Sequence, residues 1–211
     1  EALFIAVKRA PTSSSWVGNP TLHQPLKTGA RASLISTFAR LELFSTYISN
    51  YVYLDKKKAG ATNYVTYRNI GAMMSGVNFV LEYKFVEMTA SYTYAENKSD
   101  TSPLAEIPPL KVTTRLVSPK WMDMTFYLRH TYSDGQTRTD INLGETSTPA
   151  YNKLDFGFTG EFKSLKFSME IENLLNINYY SHLSYFRDPF KSGMKVYEPG
   201  TTVRINVGYA I

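Results

Sequence analysis

The last nine residues of this chain most restrict what it can fold into. Val203, Ile205, Val207, Tyr209 and Ile211 alternate with Arg204, Asn206, Gly208 and Ala210. A strand sends successive side chains to opposite faces, so the alternation gives one apolar and one mixed face. The run just before it behaves alike. Leu165, Phe167, Met169 and Ile171 share one parity, and Lys166, Ser168, Glu170 and Glu172 the other. A run of this length matches the roughly 9–11 residues with which a tilted strand crosses a bilayer.

The same two-residue period recurs upstream. Thr28 to Ala39 alternates, and Val77, Phe79, Leu81, Tyr83 and Phe85 line one face. Met88, Ala90, Tyr92 and Tyr94 follow, then Leu110, Val112, Thr114 and Leu116, then Met122, Met124, Phe126 and Leu128, then Leu154, Phe156, Phe158, Gly160 and Phe162. Leu41 to Leu54 is aromatic and strand-like with neither parity clean, which predicts a bulge. About ten strands result, and no 3.6-residue period persists.

The connections alternate short and long. Ala39 to Glu42, Phe85-Val86, Ser118 to Lys120 and Lys163-Ser164 are short; Leu54 to Asn69, Asn97 to Pro109, Asp134 to Ala150 and Asn176 to Gly200 are long. Tight turns on one side and long loops on the other mark an outer-membrane β-barrel. The fold expected is therefore all-β, an antiparallel transmembrane barrel. The final strand runs toward the short-turn side, which places the C-terminus in the periplasm and every long loop outside. Charges on the opposite parity, among them Glu82, Lys84, Glu87, Arg115, Arg129, Asp155, Glu161 and Glu170, suit a wet lumen.

Composition removes several alternatives. Zero cysteines exclude disulfides, iron–sulfur clusters and thiol catalysis. The net charge of +5 is scattered, and its densest tract, Asp55-Lys56-Lys57-Lys58, reads as a solvated loop, so no nucleic-acid partner is expected. No run approaches the roughly 18 apolar residues of a membrane helix, an absence that barrel strands share. No signal peptide is visible at Glu1.

Five segments, in order, resemble the C-terminal half of a TonB-dependent outer-membrane receptor. They are Gly18-Asn19-Pro20-Thr21-Leu22, Tyr67-Arg68-Asn69-Ile70-Gly71-Ala72, Leu104 to Leu110 with its Ile107-Pro108-Pro109 core, Glu172-Asn173-Leu174-Leu175-Asn176-Ile177-Asn178-Tyr179, and Glu198-Pro199-Gly200-Thr201-Thr202-Val203. The resemblance implies a 22-stranded barrel of which residues 1–211 are the C-terminal portion, with the plug domain and its TonB-contacting segment outside this sequence. It implies TonB-energised import of a metal or metal chelate, iron-siderophore or copper, with no enzyme activity and no cofactor. The partners implied are outer-membrane lipid and lipopolysaccharide, TonB through the missing plug, and the barrel assembly machinery. That machinery would read the last strand, Val203, Ile205, Val207, Tyr209 and Ile211, where Ile211 replaces the family's terminal Phe.

Candidate ligand contacts lie in the last long loop: His182, Tyr185, Arg187 and Tyr197. With the Ile107-Pro108-Pro109 loop, that segment is similar to the copper-uptake branch. Methionine can ligate a soft metal, but Met88, Met122, Met124 and Met169 fall on the lipid parity and read as packing. The alternative is a self-closed ten-stranded barrel with a structural or protease role, for which His130, Asp134 and Asp140 are the candidate group. The two readings divide on whether the last strand pairs with an N-terminal one; the fragment reading expects open edges at Glu1–Val7 and Thr201–Ile211.

Overall fold

A computed structural model describes residues 6–8, 15–59, 62–184 and 195–209. They form strands β1 (Ala6–Lys8), β2 (Ser15–Val17), β3 (Leu26–Ile35), β4 (Ala39–Ala59), β5 (Thr62–Tyr83), β6 (Val86–Asn97), β7 (Lys111–Val117), β8 (Met124–Ser133), β9 (Tyr151–Phe162), β10 (Leu165–Glu172) and β11 (Thr202–Tyr209). A 3₁₀ turn at Ile141–Leu143 is the one helical element among the described residues. From β3 to β11 each strand pairs antiparallel with the next, in one sheet. The β1–β2 hairpin lies apart from this order. β2 runs parallel to β5, with Ser15 opposite Tyr64 and Trp16 opposite Val65, on the edge that β5 leaves free above β6.

The registers bear out the alternation. Phe79 faces Leu41 and Ala90, Leu116 faces Val86 and Leu128, and Phe158 faces Phe126 and Met169. Met169 in turn faces Ile205. One slip of a single residue would move any of these to the other side, so the apolar pattern and the ladder fix each other. At the short-turn end this face carries Tyr83, Phe85 and Phe162, all exposed, with Phe38 edge-on to Tyr83 at 5.7 Å. An aromatic rim beside an apolar band is the arrangement of a membrane barrel.

The opposite face is charged, and its charges pair across strands. Arg115 donates to both Glu87 oxygens at 2.9 and 3.1 Å and lies over the Tyr127 ring. Arg129 reaches Asp155 at 2.8 Å and Glu170 at 2.6 Å, and Arg204 reaches Glu172 at 3.0 Å. Close approach explains two glycines. A Cβ at Gly76 would strike the Phe44 ring, and one at Gly157 the Tyr127 ring, each its cross-strand partner. The aromatic side chain covers the bare backbone opposite it.

The bulge predicted in β4 is present: the register slips between Ile48 and Tyr51, with Asn50 at φ 57°. The long connection expected from Leu54 to Asn69, with its basic tract Asp55-Lys56-Lys57-Lys58, is not a loop. β4 and β5 continue as a tall hairpin whose ladder reaches Ala59 opposite Thr62. Asp55 sits 3.3 Å from Arg68 and 3.7 Å from Lys57, and Lys56 and Lys57 stay exposed. Lysines in a solvated strand with a carboxylate beside them cost the ladder little. The first turn is Ser36 to Phe38, where the Ser36 hydroxyl accepts the Ala39 N–H at 2.9 Å, so Ala39 begins β4 rather than the turn. Met122 belongs to the β7–β8 turn, at φ 46°, and not to a strand face.

The sheet is open. Among the described strands β3 pairs only with β4, and β11 only with β10. The self-closed ten-stranded barrel is therefore not what these strands form. The upstream edge lies at β3 and not at Glu1–Val7, because Ala6–Lys8 is taken up by the β1–β2 hairpin. Residues 1–5, Ala210 and Ile211 lie outside the described residues.

Candidate functional site

Three long loops, 98–110, 134–150 and the described parts of 173–201 (173–184 and 195–201), gather over the upper end of the charged face. The first folds back along the edge of β6, with the Leu104 N–H on the Ala95 carbonyl at 3.3 Å. This buries Leu104 against Ile48, Tyr53, Ile70, Ala72 and Ala95, with Ile107 and Leu143 packed around them. It is the hydrophobic core among the described residues, and it sits under loops rather than inside the sheet.

The second loop is held by carboxylates. Asp140 caps the 3₁₀ turn, accepting the Leu143 N–H at 3.2 Å, and Gly144 closes the turn at φ 78°. Asp140 is also buried against β4, where the Tyr53 hydroxyl donates to it at 2.5 Å. Lys56 donates to the Leu143 carbonyl at 2.7 Å, and the Gln136 amide to the Ile107 carbonyl at 2.8 Å.

The third loop begins at Asn173, at φ 53° and buried. Its side chain accepts the Ile177 N–H at 2.9 Å and donates to the Ile177 and Pro199 carbonyls at 2.9 and 3.3 Å. Its own N–H donates to Asp155 at 2.8 Å. Beyond it the chain forms an irregular stem. Glu198 N–H bonds to the Tyr179 carbonyl, Val196 N–H to the Ser184 carbonyl, and the Ser184 hydroxyl to the Val196 carbonyl. The Tyr179 ring lies tilted against Tyr151 with centroids 4.5 Å apart, and Tyr180 meets Tyr197 edge-on at 5.1 Å. Burial, then the Glu198 carboxylate, pushes the Tyr179 phenol up to about 12.

Glu145 joins all three loops. One carboxylate oxygen accepts the Glu106 N–H at 2.8 Å and meets His182 Nε2 at 3.0 Å. The other accepts the Asp140 N–H at 2.7 Å. Burial alone would raise this carboxyl; the bonds from His182 and the two backbone N–H groups outweigh it and hold the group below its ordinary value.

His182 is thus only 3% exposed, with Nδ1 3.1 Å from the Thr148 hydroxyl and Nε2 on Glu145. Both ring nitrogens are occupied inside the protein. Tyr197 is 57% exposed at the surface of the stem. Tyr185 and Arg187 lie outside the described residues. The structure therefore brings His182 and Tyr197 into one stem, with the histidine turned in and the tyrosine out. The candidate protease group does not assemble: His130 pairs with Asn152 at 3.1 Å, Asp134 accepts from Tyr132 at 3.0 Å, and Asp140 is committed to Tyr53.

Sequence reasoning missed Glu145, Tyr53 and Thr148, and gave Asp140 a place in the protease group rather than in the loop cap. Asp140 with Gly144 four residues on carried a turn signal; Glu145 and Thr148 carried none. Three motif asparagines show what their segments do. Asn19 accepts from Thr21 and donates to the Tyr67 carbonyl, Asn69 bonds the His23 and Asn50 backbones, and Asn173 staples the third loop.

A single antiparallel sheet with one apolar face, tight turns at one end and folded loops at the other is a section of transmembrane β-barrel wall. The family model described as TonB dependent receptor-like, beta-barrel matches residues 28–174, and the chain belongs to that family. No curated protein sequence matches it. Among solved structures it is similar to the copper transporter OprC (17% identity, TM-score 0.77, covering 94% of this chain and 34% of that one). It is also similar to the ferric enterobactin receptor PfeA of Pseudomonas aeruginosa, as an R480A mutant in complex with enterobactin (16%, 0.63, 90% and 32%). A third is the FrpB iron transporter of Neisseria meningitidis (13%, 0.62, 88% and 30%). The chain spans about a third of the length of these proteins.

Proposed function

We propose that this chain is the C-terminal part of the barrel domain of an outer-membrane receptor that imports a metal or metal chelate, with energy relayed from TonB through a plug outside the sequence given. The observation that carries this is the open sheet, whose edges at β3 and β11 leave backbone groups to be paired by further strands. Unpaired edges in lipid cost roughly several kcal/mol per group, so the wall needs completing. In this reading the apolar face meets lipid and lipopolysaccharide. The short turns and the C-terminus face the periplasm, and the long loops are extracellular. The assembly machinery reads β11 with Ile211.

Ligand contacts fall in the last loop. Tyr197 is the described aromatic side chain exposed on its stem, Tyr185 and Arg187 are candidates beyond the stem, and His182 acts by holding the stem. The cargo classes to test are copper and iron-siderophore. Deleting Ser181 to Lys195 in the complete receptor should abolish uptake of copper(II) or of an iron(III) catecholate chelate while leaving heat-modifiable gel mobility intact. Unchanged uptake of the transported cargo would remove the loop from the ligand path.

A further inference from the structure

We infer that Glu145 is the positioning residue that fastens the last long loop to the other two, and that its carboxylate, rather than the charge on His182, decides whether the fastening holds. The inference rests on the ligand-facing role proposed for that loop only in what the fastening serves.

The geometry gives Glu145 three donors from three loops. Glu106 N–H comes from loop 98–110, Asp140 N–H from loop 134–150, and His182 Nε2 from loop 173–201. On the stem itself, the Lys195 ammonium donates to the His182 carbonyl at 2.7 Å, closing the stem that carries the imidazole. Without Glu145, the remaining described side-chain bond from His182 to a neighbouring loop is the one to Thr148.

The histidine is held in a way that tolerates either charge state. A threonine hydroxyl both donates and accepts. Neutral Nδ1 accepts from Thr148, protonated Nδ1 donates to it, and Nε2–H donates to Glu145 in both cases. Either charge state of the imidazole keeps both contacts, whereas protonating Glu145 removes the charge that its three donors share. The other charged or titratable groups around the joint are Glu106 on the first loop, Asp140 on the second, Lys195 on the stem, and Lys56 and Tyr53 on β4. Asp140 is engaged by Tyr53, and Lys56 by the Leu143 carbonyl.

The sign follows from the carboxyl, whose folded value lies below its unfolded one. The stabilisation is present above the unfolded carboxyl value and is lost as pH falls through the folded value. The stem should stay fastened across the range in which a histidine titrates and release only in acid.

The test is amide hydrogen exchange of the complete receptor in detergent micelles, corrected for intrinsic rates, read at residues 177–184 and 195–199. Glu145→Ala should speed exchange there roughly ten- to a hundredfold, the loss of a hydrogen bond to a charged acceptor. Glu145→Gln keeps the oxygen that faces Glu106 and His182. Like the protonated acid it has no charge, and it turns an NH2 toward the Asp140 N–H, so it should loosen the stem at neutral pH by less than Glu145→Ala does and abolish any further release in acid. His182→Ala should loosen the stem while the Glu106 and Asp140 amides keep their protection. A stem unchanged in Glu145→Ala, a wild-type stem that loosens where histidine titrates, or acid release that persists in Glu145→Gln would each overturn the inference. Uptake of copper(II) and of an iron(III) catecholate chelate is measured in parallel. Unchanged uptake in a Glu145→Ala receptor whose stem has loosened would count against the ligand role of the loop and leave the fastening standing.

Discussion

The strand wall and the loop roof are stabilised in different ways. In the wall each side chain repeats what its neighbours do: backbone ladders run from β3 to β11, apolar partners face each other, and ion pairs recur across strands. The roof has no repeat. It depends on a few buried polar atoms, each used several times: Asp140 on Tyr53 and Leu143, Glu145 on three loops, Asn173 on Ile177 and Pro199. A periodic structure distributes its stability and tolerates a single change. An irregular one concentrates it, because leaving one buried partner unmatched costs more than the average bond is worth.

The largest effect is expected where the two regions meet. Asp155 is fully buried and accepts from Arg129, Lys153 and the Asn173 N–H. Asp155→Ala takes their acceptor from Lys153 and the Asn173 N–H and leaves Arg129 with Glu170 alone, and should cost about 3–5 kcal/mol, measured by urea unfolding in micelles. A cost near that of an ordinary wall pair would erase the distinction between the regions. Next, Phe167→Arg puts a charge on the apolar face and should cost about 2–4 kcal/mol near the membrane centre. Lys166→Arg, one residue away on the other face, should cost almost nothing in the same assay; equal tolerance would remove the assigned parity. Asn173→Ala should cost about 1–3 kcal/mol. Its damage should be confined to the exchange of residues 174–201, with β9 and β10 unaffected. The smallest change is Arg204→Ala. Its pair with Glu172 is well exposed, so the expected loss is about 0.2–1 kcal/mol. A larger loss there would show that charge pairs in the wall act together.

Legibility in the sequence follows the same division. The period of two made β6, β8, β9, β10 and β11 readable with their faces, because every residue of a strand reports the same geometry. The bulge at Asn50 was readable as a break in that period. The upper half of the β4–β5 hairpin was hidden by its lysines, since composition speaks of solvation and a solvated strand looks like a loop. His182 was visible as a rare residue in a long loop, but its buried place was not.

What the sequence alone determined is the wall's period of two and the parity of its strands, and through its motifs the family. Those properties are local, written within a few residues of each other. The tertiary structure alone decided that the upstream open edge lies at β3, and it alone brought Glu106, Asp140, Glu145 and His182 together. Edges depend on which strands meet. The union joins residues as far apart as Glu106 and His182 on one carboxylate, and two of its three donors are backbone N–H groups that any amino acid but proline would supply, so the side-chain pattern announces little of it.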